Sequence, residues 1–191
     1  MIDISKIAIL ANAITTLKEA SKDSHNSYYM TESLLAAVDF DKVKKDYIKT
    51  LTIRESPASS DAFFVDKNGE MYLIEFKNMS VGGKLKHEIW LKIFDSLLIL
   101  TDILDSKASL TRQNLNYILV YSREKNRAGK VEDDIQASES RVDIENFFTE
   151  EGKNVYIQKG LERFKGLYFK DVFTVTECEF QRDFIKDWSA Q

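Results

Sequence analysis

The sequence contains one cysteine, Cys178, in 191 residues. No intrachain disulfide can form, and no Cys/His set has zinc spacing. The two histidines, His25 and His87, lie too far apart to suggest a zinc site. One proline and seven glycines leave little room for a flexible linker or a low-complexity tail. No internal repeat recurs at a fixed period. The richest apolar stretch, residues 89–104, is interrupted by Lys92, Asp95 and Asp102 and does not read as a membrane span. The first residues, Met1-Ile2-Asp3-Ile4-Ser5-Lys6, lack the basic start and apolar run of a signal peptide. A cytoplasmic location with no membrane partner is the expectation.

What remains is the composition of an ordinary globular chain. Its length suits a single domain over residues 1–191 with a sizeable core. The net charge is −4, which by itself argues against nucleic acid. Its distribution is uneven. Residues 131–151 hold eight acids and one base, Arg141, so this segment carries −7 and leaves +3 for the rest. A phosphate-facing surface is therefore permitted if the acidic segment lies away from it.

Hydrophobic periodicity predicts an amphipathic helix over 5–21, with Ser5 as N-cap and Ile7, Leu10, Ile14 and Leu17 on one face. His25-Asn26-Ser27 reads as a loop. A second helical stretch starts near Thr31, carries Leu34, Leu35 and Val38, and continues or restarts at Asp41 through Val43, Tyr47 and Ile48. Residues 50–53 have strand character, and Pro57-Ala58-Ser59-Ser60 is an irregular lead-in. Residues 61–65 and 71–77 form the clearest hairpin, rich in aromatic and branched side chains. A long helix is expected over 84–104 and a strand over 117–121. A polar loop over 122–130, a helix over part of 131–149, a short strand at 155–157, a strand or a strand plus turn over 168–175 and a terminal helix over 179–188 follow. This order implies an α/β chain, a mixed sheet with helices packed on its faces.

The turn Asp66-Lys67-Asn68-Gly69-Glu70 admits two registers. A two-residue type I′ loop at Asn68-Gly69 would set Asp61 against Phe76 and point Asp61 and Glu75 to opposite sides of the sheet. A type I turn over 66–69, with Gly69 left-handed in a bulge, suits Asp at the first position and Gly at the fourth. It pairs residues whose numbers sum to 136 and sets Asp61 opposite Glu75, with Lys77 on the same face. Phe63, Leu73, Val65 and Met71 continue that face, so three polar groups end an apolar stripe. Cross-strand Cβ atoms are roughly 4.5–5.5 Å apart, and two carboxylates that close repel unless a cation lies between them or one is protonated. An all-oxygen donor set favours Mg²⁺ or Mn²⁺, and a neighbouring lysine can position or activate a water.

Ser60-Asp61, thirteen intervening residues and then Glu75-Phe76-Lys77 resembles the signature of the PD-(D/E)XK nuclease superfamily over roughly residues 30–121. The resemblance implies a restriction endonuclease-like core, a central mixed sheet flanked by helices, here with an N-terminal helix and a C-terminal α/β extension. It implies that Asp61 and Glu75 bind the metal with help from the Phe76 carbonyl, and that Lys77 serves the nucleophilic water. An acid on a preceding helix often joins; Glu32 is the choice, with Glu19 and Glu55 as rivals. The proline of the motif is replaced by Ser60, and the only proline is Pro57.

Other signals are weaker. Lys84, Lys86, His87 and Lys92, after Gly82-Gly83, read either as a phosphate-contacting helix start or as a solvated helix face. Lys92 and Asp95 form a surface pair at helical spacing or turn towards the site. The basic loop 123–130 reads first as a solubilising loop and second as a DNA contact. Trp90, Trp188 and Cys178 read as packing residues. Two functional readings follow. One is a Mg²⁺- or Mn²⁺-dependent nuclease acting on DNA, for which symmetric duplex cleavage would call for a homodimer. The other is a catalytically silent protein of the same fold that binds a protein partner as an accessory or immunity factor. The acidic segment favours the second, and the retained acid–acid–lysine set favours the first.

Overall fold

The computed structural model describes residues 2–23, 27–79, 83–126 and 160–190, the side chains of 83–86 excepted. The described elements, in order, are a 3₁₀ turn Ile4–Lys6, α1 (Ala8–Ala11), β1 (Ile14–Thr16), α2 (Leu17–Ala20), β2 (Lys22–Asp23), β3 (Tyr28–Tyr29), β4 (Ala36–Asp39) and α3 (Phe40–Ile48). Then come β5 (Ala62–Val65), β6 (Met71–Lys77), α4 (Gly83–Ile103), α5 (Ala108–Asn114), β7 (Leu115–Tyr121), α6 (Arg123–Asn126) and β8 (Asp171–Thr176). A terminal helix, α7, runs as α-helical Glu177–Phe180, π-helical Gln181–Ile185 and α-helical Lys186–Ser189.

Among the described residues, six strands form one mixed sheet in the order β1-β4-β5-β6-β7-β8. The pairs from β1 to β6 are antiparallel, and β6-β7 and β7-β8 are parallel. The α/β class with helices flanking a mixed sheet is thus the observed one. Parallel neighbours need a crossover, which α4 and α5 supply between β6 and β7. Residues alternate between two buried faces. Phe63, Met71, Leu73, Tyr117 and Leu119 pack with Ile89, Ile93, Leu97 and Leu100 of α4. Ala62, Phe64, Ile74, Phe76, Ile118 and Val120 pack with Phe180, Ile185 and Trp188 of α7. All seven residues of β7 are buried, as expected of a parallel strand covered on both sides.

The hairpin follows the bulged-turn register. Ala62 pairs with Ile74, Phe63 with Leu73, Phe64 with Tyr72 and Val65 with Met71, each sum being 136. Gly69 has φ of 81°, and its N–H donates to the Asp66 carbonyl at 3.0 Å. The Asp66 side chain also accepts the Asn68 and Glu70 N–H groups, each at 2.9 Å. Gly69→Ala would place a Cβ in the left-handed region, and a loss of about 1–2 kcal/mol in chemical denaturation is expected; no loss would dismiss the strain. Phe63 is fully buried and meets Phe40 at a ring distance of 6.4 Å. Phe63→Ala is expected to cost about 3–5 kcal/mol in the same assay, and a loss under about 1 kcal/mol would mean the cavity collapses freely.

Several expectations need correction. Residues 5–21 are not one helix. Asp3 caps the initial 3₁₀ turn in place of Ser5, α1 lasts one turn, and the β-branched Ile14-Thr15-Thr16 leaves the helix to pair with β4. Thr31 starts no helix. Its hydroxyl accepts the Ser33 N–H at 3.2 Å, and Ala36–Asp39 is a strand. The helix begins at Phe40, where the Asp39 carboxylate accepts the Lys42 N–H. Residues 50–53 pair with no described strand, and Leu51 and Ile53 are exposed. Cys178 is exposed, so it is no packing residue; Trp188 is buried. The long helix, the strand over 117–121, the strand that ends at Thr176 and the terminal helix stand close to their expected places. The expected loop at 25–27 lies outside the described residues except for Ser27, and the elements expected within 131–157 lie wholly outside them. Among the described residues no helix is long and apolar enough to cross a membrane.

Candidate active site

The site is assembled by three elements that the sequence separates. Glu75 and Lys77 stand at the carboxyl end of β6, on the face that α4 covers. Asp61 precedes β5. Its N–H donates to the Ile74 carbonyl at 3.1 Å, and its carbonyl accepts the Phe40 N–H at 3.1 Å. The regular ladder therefore ends at Ala62–Ile74, and Asp61 does not form the expected ladder pair with Glu75. The lead-in is tied down from α4: Asp95 accepts the Ala58 N–H at 2.8 Å, and the Ser96 hydroxyl accepts the Ser60 N–H at 2.7 Å. This settles the place of Asp95, which anchors backbone, while Lys92 turns inward.

The two carboxylates still converge. Lys92 Nζ lies 3.2 Å from Asp61 Oδ1 and 2.7 Å from Glu75 Oε1. Lys77 Nζ lies 3.0 Å from the same Glu75 oxygen. Asp61 Oδ2 accepts the Phe76 N–H at 2.6 Å. Glu75 is fully buried, and its Oε2 has no hydrogen-bond partner. Burial, and then the charge of Asp61, push the Glu75 carboxyl up to about 7 against the pull of both lysines. Burial also raises Asp61, with Lys92 and the Phe76 N–H opposing. For Lys92 burial acts downward, but Glu75 and Asp61 together outweigh it and hold the ammonium well above its ordinary value. The buried Tyr117 hydroxyl is raised by burial and by the charges of Glu75 and Asp61, with the Ser60 hydroxyl opposing.

Asp61, Phe76, Lys77 and Lys92 line an open cleft of about 680 Å³, together with Lys22, Asp23, Asp41, Asn78 and Lys125. Asp41, in the first turn of α3, is the acid that preceding helical sequence brings to this cleft. Burial raises its carboxyl, but the Ser59 hydroxyl and Lys44 at 3.1 Å outweigh that and hold it below its ordinary value. Sequence reasoning passed over Asp41 as a site acid, although its place two residues after the N-cap Asp39, in the first helical turn, was a usable signal. Glu32 is not brought to the cluster. It is exposed and paired with Lys18 at 2.5 Å, because the segment that should have made it helical runs as coil into β4. Glu19 and Glu55 are also exposed and do not line the cleft. His87 is exposed on α4, whereas the side chains of Lys84 and Lys86 are outside those described. Lys125 donates to the Asn78 carbonyl at 3.0 Å, which ties α6 to the cleft wall, and Lys22 faces Tyr29 across the β2–β3 pair.

The donors fit a hard divalent cation in chemistry: two carboxylates, all-oxygen ligation and one buried carboxylate oxygen left unpaired. They are sparse in number, for among the described residues no group of three or more His, Cys, Asp or Glu converges as a metal-holding set. Fold and site together define a mixed α/β protein with a buried carboxylate–lysine cluster opening into a lysine-rimmed cleft. No family model, curated protein or solved structure matches the chain.

Proposed function

We propose that this chain is a metal-dependent phosphodiesterase acting on nucleic acid: a cytoplasmic DNA endonuclease of the PD-(D/E)XK kind, belonging to a restriction, repair or mobile-element system. The observation that carries the reading is the meeting of Asp61 and buried Glu75 beside Lys77, with Asp61 and Lys77 at the wall of an open cleft. Asp61, Glu75 and the Phe76 carbonyl would hold Mg²⁺ or Mn²⁺. The bound ion would supply Lewis acidity towards a phosphoryl oxygen and help to activate water. Lys77 orients the attacking water and offsets the negative charge that grows on the phosphoryl oxygens. Lys22 and Lys125 at the cleft wall suit neighbouring phosphates. Symmetric cutting of a duplex would use a homodimer.

One observation favours a second reading, a catalytically silent accessory or immunity protein that binds a protein partner. Asp61 and Glu75 are matched by Lys77 and Lys92, so the cluster is charge-balanced from its own side chains. The deciding assay incubates the protein with linear duplex, single-stranded and branched DNA and with RNA, in Mg²⁺ and then Mn²⁺, beside Lys77→Ala. Cleavage by the wild type alone is the expected result. Equal cleavage by the variant, or none by folded wild type on any substrate, would remove the nuclease reading.

A further inference from the structure

The described side chains place a cation in the proposed metal position already. Lys92 Nζ bridges Asp61 Oδ1 and Glu75 Oε1 at 3.2 and 2.7 Å. These oxygens come from the residue just before β5 and from β6, and a cation shared by both must take the space between them. Lys77 is differently placed: it pairs with Glu75 and makes no ion pair with Asp61. Lys92 projects from α4, one turn before Ser96, whose hydroxyl holds the Ser60 backbone. Its anchor is therefore rigid and its reach is set by a flexible four-carbon stem. The stem has somewhere to go, since Lys92 lines the cleft and keeps 22% of its side chain exposed.

We propose that Lys92 is the protein's own occupant of the cation position, which a divalent ion must displace in order to bind. This rests on the reading that Asp61 and Glu75 form a metal site. Binding would then be an exchange: the Lys92 ammonium leaves the two carboxylates, and Asp61 and Glu75, whose Oε2 is unpaired, would hold the ion in its place. Affinity is the difference between two competing cations and is weakened accordingly. The displaced ammonium stays tethered within the cleft, where it can meet an anionic phosphate.

Titration calorimetry with Mn²⁺ on the wild type, Lys92→Met and Lys92→Gln tests the exchange, with thermal melting to confirm folding. Either neutral variant is expected to bind roughly tenfold tighter or more. A wild-type readout stands independently of the variants. Mass-spectrometric labelling by a small amine-reactive reagent should modify Lys92 several-fold faster with Mn²⁺ present. Equal or weaker Mn²⁺ binding by the variants, or labelling that Mn²⁺ leaves unchanged while the wild type binds it, would overturn the exchange and leave the metal site standing. No Mn²⁺ binding by wild type or variants would overturn both.

Discussion

Lys77→Ala is expected to lower the rate of phosphodiester cleavage by roughly two to four orders of magnitude, the range for removing a positioned group that serves the attacking water. The structure gives reasons to expect a folded variant. Lys77 is the last residue of β6, and its backbone carbonyl accepts the Ser122 N–H at 3.0 Å, which truncation of the side chain leaves in place. Glu75 keeps its ion pair with Lys92 at 2.7 Å, so the buried carboxylate is not left without a cation. Single-turnover rates at saturating Mn²⁺ separate chemistry from metal binding. A large fall in rate with unchanged Mn²⁺ affinity places Lys77 in the chemical step. A fall fully restored by raising Mn²⁺ would place it in ion binding, and an unchanged rate would exclude it from the reaction.

Glu75→Gln is expected to gain stability relative to the wild type as pH rises from about 4.5 to about 7. Glu75 ordinarily titrates near 4.5, and in the folded chain burial and Asp61 raise it to about 7. Between those values the folded state holds a proton that the unfolded state has released. The wild type therefore loses stability through this window and the Glu75 contribution levels off above it. The glutamine is neutral throughout and does not share the loss. The full excursion is on the order of 3 kcal/mol for a shift of this size, as an upper bound for a coupled buried cluster. Urea denaturation of both proteins at pH 5 and pH 8 measures it. A stability difference that does not change between these values, or one that moves towards the wild type, would show that the folded carboxyl is not raised.

The legible parts of the fold share a cause: their information is local. The hairpin register followed from Asp66 and Gly69, because a type I turn with a left-handed glycine admits one pairing of the flanking strands. The long helix expected over 84–104 and the strand expected over 117–121 followed from apolar runs whose lengths suit one element each, and they stand at 83–103 and 115–121. The failures share a cause too. Ile7, Leu10, Ile14 and Leu17 satisfy a helical period, yet Leu10 and Leu17 belong to the cores on opposite faces of the sheet. The chain must pass the sheet edge between them, which β1 does. The same applies to Leu35, just before β4, and Val38 within it, which pack on opposite faces of the sheet. A three-residue edge strand draws its stability from its partner, which no local window contains.

The candidate site divides in the same way. By itself the sequence determined that Glu75 and Lys77 share a strand face, that a glycine-bulged turn brings Asp61 back towards them, and that no Cys/His set competes for a metal. Alternation along a strand and turn chemistry depend on near neighbours only. The tertiary structure decided the rest: that Lys92 bridges both carboxylates from a helix 17 residues beyond Glu75, that Asp41 reaches the cleft and Glu32 does not, and that Glu75 is buried deeply enough for its carboxyl to reach about 7. Those outcomes depend on which helix covers which face and on how completely it excludes water. Desolvation and the distance between charges belong to the packed molecule and have no counterpart in a local stretch of chain.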